Sequence, residues 1–129
     1  MPMQEIDPVV QKDKIRIPLS KIQEHDIVYF EHENDQGFPV PLTAYVTPSG
    51  RIFTGSSICE PCQGRRWAID GDLLYCMKCG TTFKLENHEF VSGSSVCGDY
   101  PPVFMSHEIR NEEVIIPEKE VLSWRNRAL

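Results

Sequence analysis

Five cysteines stand out in this sequence, and four of them form two Cys-x-x-Cys pairs. Thirteen residues separate the pairs, which are Cys59 with Cys62 and Cys76 with Cys79. Two such pairs at this separation are a strong metal-binding signal, because four thiolates can surround one cation tetrahedrally. We therefore predict that these four side chains bind one metal centre. Zn²⁺, iron and an iron–sulfur cluster all accept this ligand set.

The residues around the two pairs suit tight turns that aim two sulfur atoms at one point. Pro61 fixes the backbone inside the first pair, and Gly80 leaves it permissive just after the second. Backbone N–H groups of such loops can donate to thiolates and stabilise their charge. Between the loops, Asp70-Gly71-Asp72 separates two apolar runs. This pattern predicts a hairpin that brings the second pair beside the first.

Two other interpretations of the pairs stay open at this point. Disulfides from Cys59 to Cys62 and from Cys76 to Cys79 would each close a small, strained ring and would need an oxidising compartment. A thioredoxin-like redox motif would explain one pair but not two, and it expects a βαβ context that the sequence lacks. Both alternatives fit the spacing less well than a shared metal does.

The fifth cysteine, Cys97, lies in a loop rich in Ser and Gly, and the odd cysteine count argues against a pure disulfide framework. It is either a loop residue without a role or a thiol beside the metal, as an alternative ligand or as a group contacting the ligands. His88, near the second loop, is a weaker candidate for a replacement ligand.

Composition places the chain among ordinary soluble globular proteins. It has 129 residues, of which 40% are hydrophobic and 25% charged, and its formal net charge is −6. An acidic chain without a basic stripe is a poor nucleic-acid binder, and we expect Arg65-Arg66 and Arg125 with Arg127 to be solvated surface residues. No run approaches the length of a membrane span. The chain is expected to be soluble as given, either cytoplasmic or the soluble part of a membrane-associated protein.

Ten prolines and eight glycines spread along the chain favour many short strands over long helices. We predict a flexible N-terminal arm over residues 1–13 and a single domain over residues 14–129. The domain is expected to be mainly β, and residues 117–128 are expected to form a short closing helix that begins at a proline. The predicted strands cover residues 14–18, 27–30, 40–46, 51–54, 66–69, 73–75, 82–85, 89–91, 103–109 and 113–116.

The run Cys76-Met-Lys-Cys79-Gly-Thr-Thr-Phe83 resembles the second cluster loop of Rieske-type domains, in which a cysteine is followed three residues later by a histidine. Here Cys79 stands at the histidine position, and Cys59-x-x-Cys62 replaces the family's Cys-x-His in the first loop. Both imidazoles are thus replaced by thiols. The resemblance implies a small antiparallel β-sandwich or barrel, with a two-loop metal subdomain like that of zinc ribbons or rubredoxins.

Residues 14–122 also resemble the soluble domain of the FtrD-like membrane iron–sulfur family. The resemblance rests on both cysteine pairs, on the turns at residues 48–51 and 70–72, and on Cys97 with a proline soon after it. It implies a membrane-associated role linked to iron uptake or redox partners. It also implies that Cys97 has a counterpart in the family.

Together these observations predict a metal-binding protein that acts in electron transfer or iron handling with a redox protein or a membrane complex. The favoured cofactor is iron or a [2Fe–2S]-type cluster, and Zn²⁺ is a close alternative. Exposed apolar residues near the loops, namely Ile58, Pro61 and Met77, are expected to form the docking surface. The rival prediction is a non-catalytic interaction module with structural Zn²⁺. An enzyme is the weakest prediction, because a closed four-thiolate site leaves no coordination position for a substrate.

Overall fold

The computed structural model describes residues 3–128, and this part of the chain is mainly β, as the sequence predicts. Two short helices, α1 (Leu19–Glu24) and α2 (Lys119–Leu122), accompany the strands. The strands are, in chain order, β1 (Gln4–Glu5), β2 (Val9–Gln11), β3 (Lys14–Pro18), β4 (Ile27–Glu33), β5 (Pro39–Val46), β6 (Ile52–Ser56), β7 (Trp67–Asp70), β8 (Leu73–Cys76), β9 (Thr82–Lys84), β10 (Phe90–Ser92), β11 (Glu108–Arg110) and β12 (Glu113–Pro117).

The strands form three sheets of four strands each within the described range. The central sheet has the order β1-β4-β5-β6, the outer sheet β11-β12-β3-β2, and the cysteine sheet β10-β9-β8-β7. Neighbouring strands are antiparallel except β1, which runs parallel to β4. The antiparallel, mainly β prediction is therefore confirmed, and the structure adds the division into three sheets.

The larger hydrophobic core lies between the central and outer sheets. Val28, Phe30 and Leu42 of the central sheet belong to the same buried cluster as Ile17 and Val114 of the outer sheet. Apolar residues alternate with polar ones in β3, and side chains two residues apart point to the same face of a strand. This alternation explains why one face of β3 packs into the core. Apolar burial on this scale is the main favourable contribution to folding.

A second core lies on the other face of the central sheet. Ile27 and Tyr45, which alternate with residues of the larger core, join Trp67 and Phe83 of the cysteine sheet in a separate buried cluster. The central sheet is therefore apolar on both faces, which explains why Ile27–Phe30 reads as an uninterrupted apolar run. Through this second core the cysteine sheet is held against the central sheet.

The structure adds pairing to the N-terminal segment that was predicted to be a flexible arm. Gln4–Glu5 pairs with β4, and Val9–Gln11 pairs with β3, although all five residues are exposed. Such pairing depends on backbone hydrogen bonds alone. Exposed strands therefore show no apolar periodicity from which the sequence could predict them. Residues 1 and 2 of the predicted arm lie outside the described residues.

The C-terminal helix is present but shorter than the predicted span of residues 117–128. Pro117 ends β12, where it pairs with Lys14, and the helix covers only Lys119–Leu122. The residues that follow leave the helix and contact the first cysteine loop. In the described part of the chain, no helix is long and apolar enough to cross a membrane.

We expect Ile17→Ala to lower the free energy of unfolding by about 2–5 kcal/mol, because it removes buried atoms and leaves a cavity between two sheets. The matched control is Ile109→Ala on β11, since Ile109 is 53% exposed whereas Ile17 is fully buried. The control should change stability by less than about 0.5 kcal/mol. Urea unfolding monitored by tryptophan fluorescence measures both, and equal losses would contradict the assignment of this core.

Candidate metal centre

The structure brings together the four sulfur atoms that the sequence predicts to meet. All four lie within 4.8 Å of one another, and all are free thiols. Two close contacts join the two loops: Cys59 Sγ lies 3.8 Å from Cys79 Sγ, and Cys62 Sγ lies 3.7 Å from Cys76 Sγ. The structure thus disagrees with disulfides inside each pair and with two independent redox motifs.

Residues 59–64 form the first of two similar turns, here called the first knuckle. The Cys59 N–H donates to the Gly64 carbonyl at 2.8 Å, and the Gln63 N–H donates to the Cys59 carbonyl at 2.6 Å. Gln63 has a positive φ of 62°, a conformation that a non-glycine residue adopts only when its surroundings hold it there. The turn therefore fixes the directions of both thiols.

Residues 76–81, the second knuckle, repeat this hydrogen-bond pattern. The Cys76 N–H donates to the Thr81 carbonyl at 3.0 Å, and the Gly80 N–H donates to the Cys76 carbonyl at 2.8 Å. Gly80, with a φ of 77°, occupies the position that Gln63 has in the first knuckle. Glycine adopts this conformation without strain, which is why the sequence signal was clearer in the second knuckle.

The hairpin of β7 and β8 sets the distance between the knuckles. Trp67 is directly opposite Cys76 in this hairpin, and the Met77 N–H extends the ladder by donating to the Arg66 carbonyl at 2.9 Å. The first knuckle leads into β7 and the second leaves β8, so pairing of the two strands brings the cysteines together. The Asp70-Gly71 turn, with a positive φ at Gly71, closes the hairpin as predicted.

Burial and hydrogen bonding divide the four thiols into different electrostatic environments. Burial raises the pKa of Cys76 to about 11, although N–H groups of the second knuckle act against it. Burial also raises the pKa of Cys59, and the thiols of Cys62 and Cys97 raise it further. Without a cation the two buried thiols therefore keep their protons at neutral pH, and a bound metal must displace them.

Cys79 lies at the exposed edge of the cluster, and its thiol has the opposite tendency. Burial raises its pKa, but the Thr81 hydroxyl, whose oxygen is 3.1 Å from the sulfur, and the Thr81 N–H act against this. Together with the neighbouring thiols they lower the pKa of Cys79 to about 6. In the first knuckle the Gly64 N–H donates to Cys62 Sγ at 3.4 Å. These donors stabilise thiolate charge, as the sequence predicts for loop amides.

A buried carboxylate inside the first knuckle was missed by the sequence analysis. Glu60 is fully buried, and it accepts hydrogen bonds from Arg127 through the backbone N–H at 2.6 Å and the Nε–H at 3.0 Å. Arg127 is exposed, as predicted, but its guanidinium also pairs with this buried carboxylate, which needs a cationic partner. An acid between two candidate ligand cysteines was the available signal, but the sequence does not say which cation pairs with it.

Arg127 also connects the first knuckle to the loop that follows Cys97. Its guanidinium lies over the ring of Tyr100 at 5.2 Å, and its Nη2 donates to the Pro101 carbonyl at 3.3 Å. A cation over an aromatic ring contributes about 0.5–1 kcal/mol at a partly exposed site. The C-terminal segment thus holds two loops on the same side of the cluster.

Three further residues named from the sequence lie outside the group of four, although the Cys97 thiol is close enough to Cys59 to raise its pKa. Cys97 is buried in the same apolar cluster as Cys59 but is outside the group of four converging sulfurs. His88 is not in that group either, and its Nε2 hydrogen-bonds the hydroxyl of Tyr45. Ile58 was predicted to be exposed but is only 3% exposed, because it packs into the larger core. Burial of its side chain removes it from any docking surface.

The donor set fits a tetrahedral cation. Four ligand atoms at 2.3 Å from a central ion, the usual Zn–S distance, lie about 3.8 Å from one another. The Cys59–Cys79 and Cys62–Cys76 sulfur separations, 3.8 and 3.7 Å, match this edge length. The arrangement can therefore hold one thiophilic metal ion with no coordination position left for a substrate.

Comparison with known proteins gives one family match. The family model described as "Membrane iron-sulfur containing protein FtrD-like" matches residues 22–127, which is most of the chain and includes every residue of both knuckles. Comparisons with curated proteins and with solved structures give no match. The resemblance noted from the cysteine spacing is thereby confirmed, whereas the Rieske-like detail stays a prediction.

We expect Gly64→Ala to weaken metal binding about 10–100-fold, the usual effect of disturbing groups that contact the ligands. An added Cβ would lie 2.9 Å from Cys76 Sγ and 2.8 Å from Lys78 Cβ, so the knuckles would have to separate. Gly71→Ala is the control, because its Cβ would meet nothing within 4 Å although its φ is positive. Competition with a chromogenic chelator measures both. Equal affinity in the two variants would contradict the tight contact between the knuckles.

We expect Arg127→Met to destabilise the protein by about 2 kcal/mol, because it leaves the Glu60 carboxylate buried without its cation. Adding Glu60→Gln to this variant should recover part of the loss, since the amide removes the unpaired charge. Arg110→Met is the matched control, because Arg110 pairs with Glu108 on the exposed surface. Thermal and urea unfolding measure the series. No recovery in the double variant would show that the buried charge is not the cause.

Proposed function

Because this chain belongs to the FtrD-like family of membrane iron–sulfur containing proteins, we propose that its knuckle cysteines hold iron and that this iron exchanges electrons with a redox partner. The proposed ligands are Cys59, Cys62, Cys76 and Cys79. Iron bound by four thiolates supplies one-electron chemistry. The protein residues supply the thiolates, the hydrogen bonds to them and the shielding from water.

The observation that carries the proposal is the convergence of the four sulfurs within 4.8 Å. This spacing favours a single ion over a [2Fe–2S] cluster. In a two-iron cluster, bridging sulfides lie between the two irons, so thiolates on different irons are farther apart than thiolates that share one ion. The favoured centre is accordingly one iron in a rubredoxin-like site, and a cluster would require the knuckles to move apart.

Electron transfer fits a closed ligand shell better than substrate chemistry does. Four protein thiolates satisfy the metal, so no position remains for a reacting molecule. Cys59 and Cys76 are buried, whereas Cys79 is exposed. An electron can therefore enter or leave near the exposed edge while the rest of the centre stays shielded. Donors such as the Thr81 hydroxyl and the Gly64 N–H tune the reduction potential by stabilising thiolate charge.

A membrane-associated complex is the proposed location of the partner. The family description supplies the association with a membrane. Of the docking residues expected from the sequence, Met77 is 55% exposed and Pro61 is partly exposed. In this role the domain would relay electrons for iron handling by the complex.

A structural Zn²⁺ is the second candidate, and a specific observation favours it. The contacts between knuckles, at 3.8 and 3.7 Å, also match a zinc tetrathiolate. On this alternative the metal contributes folding free energy by joining the two knuckles, and the protein is an interaction module.

Metal analysis with a visible spectrum on anaerobically purified protein distinguishes these functions. One iron per chain, visible charge-transfer bands and no acid-labile sulfide are expected for the single-iron site. Two irons with two sulfides would support a cluster instead. A colourless protein with one zinc per chain would reject electron transfer at this centre.

Replacing a ligand should remove the metal and much of the stability. We expect Cys76→Ser to lose at least nine-tenths of the bound metal and to lower the melting temperature by about 10 °C or more, because metal binding contributes directly to folding. Cys97→Ser is the control, since Cys97 is buried nearby but outside the converging group. Unchanged metal content in Cys76→Ser, measured by elemental analysis, would contradict the assigned ligands.

A further inference from the structure

A shallow depression lies beside the metal centre and is formed largely by the two knuckles. Its volume is about 580 Å³, and β4 supplies Tyr29 and Glu31 to its wall. The remaining lining residues come from the end of the first knuckle, the segment after it and the interior of the second: Gln63, Gly64, Arg65, Arg66, Met77 and Lys78.

The charge of this depression is opposite to that of the chain as a whole. The chain has a formal net charge of −6. Among the described residues that line the depression, three are cations, Arg65, Arg66 and Lys78, and one is an acid, Glu31. Cations gathered at one place on an acidic protein can make charge-assisted hydrogen bonds to carboxylates of an approaching partner.

The three cations are available to a partner. Arg65 contacts Glu31 at 3.2 Å and Arg66 contacts Glu5 at 3.5 Å, and both are solvent-accessible ion pairs of the kind that contribute little. Lys78 Nζ donates to the Cys62 carbonyl at 2.8 Å, and no carboxylate of the described residues 3–128 forms an ion pair with it. A carboxylate from another protein can therefore compete with the surface ion pairs of the arginines and can pair with Lys78.

The floor of the depression lies against the sulfurs. A Cβ built on Gly64 would be 2.9 Å from Cys76 Sγ and 3.3 Å from Cys62 Sγ. The Gly64 N–H also donates to Cys62 Sγ at 3.4 Å, so one residue of the lining contacts a ligand sulfur directly. Met77, which is 55% exposed, adds apolar contact area at the rim. Charge and closeness to the metal thus coincide at one surface.

We propose that this depression is the docking surface for an acidic face of a partner protein. Carboxylates of the partner bind Arg65, Arg66 and Lys78, and its apolar contact residues meet Met77 beside Gly64. The role of this depression as a site of electron exchange rests on the proposed function. The docking itself does not, because the same surface would bind an acidic partner with zinc in the centre.

Binding of a defined acidic probe to the metal-loaded chain tests the proposal. The probe is a fluorescein-labelled peptide of alternating Glu and Gly, and the matched peptide has Gln in place of Glu. Fluorescence anisotropy should show binding of the Glu peptide that weakens at least fivefold between 20 and 200 mM salt, since salt screens exposed charges. The Gln peptide should bind at least tenfold more weakly at the lower salt concentration.

Charge-removal variants locate the binding. Arg66→Gln with Lys78→Gln should weaken binding of the Glu peptide at least tenfold. Lys84→Gln with Arg110→Gln is the matched control, because both are exposed, ion-paired cations outside the depression. It should change binding less than twofold, and elemental analysis confirms that every variant keeps its metal. Equal weakening in both double variants would overturn the proposal, because the attraction would then be spread over the whole surface.

Vesicles of phosphatidylglycerol and phosphatidylcholine test a lipid surface as the occupant. Sedimentation with these vesicles that depends on Arg66 and Lys78, without binding of the Glu peptide, would overturn the proposal in favour of a membrane contact. Binding of the Glu peptide with the expected variant pattern supports it whichever metal the chain contains. Its outcome is therefore separate from that of the metal analysis.

Discussion

Four thiols converging from two knuckles are the interaction on which the rest of this structure depends. Thiolates this close repel one another, and burial further disfavours the charged form of Cys59 and Cys76. A cation between the sulfurs removes both penalties, because it exchanges protons for metal–sulfur bonds. The knuckle hydrogen bonds prepare this exchange by fixing the thiol directions before metal binds. A metal bound there would give the small cysteine sheet stability that a short hairpin lacks.

The central sheet carries this arrangement because both of its faces are covered. One face packs against the outer sheet, and the other, through Ile27 and Tyr45, packs against the cluster that contains Trp67 and three of the cysteines. The first knuckle is further held from outside by the pair of Glu60 with Arg127. A rigid scaffold of this kind limits the reorganisation of the ligands when the charge of the metal changes. Such rigidity suits an electron-transfer centre and equally suits a structural metal.

Local patterns predicted much of the fold. The alternation of β3, the apolar run of β4 and the Asp-Gly turn of the hairpin gave strands close to those observed, because each pattern reflects burial on one or two faces. Pairing of the exposed strands Gln4–Glu5 and Val9–Gln11 left no such pattern. The predicted C-terminal helix was too long, because helix propensity gives no information on tertiary contacts. In the structure the chain leaves the helix, and the Arg127 N–H donates to Glu60. Ile58 was wrongly predicted to be exposed, because the apolar residues of the larger core that bury it are distant from it in the sequence.

By itself the sequence determined which residues are the candidate metal ligands, since only the spacing of residue types is needed to recognise two Cys-x-x-Cys turns. It also determined the mainly β character and the family. The tertiary structure decided what surrounds the centre: which thiols are buried, which cation neutralises Glu60, and where Arg65, Arg66 and Lys78 gather. The physical reason is the distance along the sequence over which each interaction acts. Turn geometry depends on neighbours within a few residues, whereas burial and charge pairing depend on groups that only folding brings together.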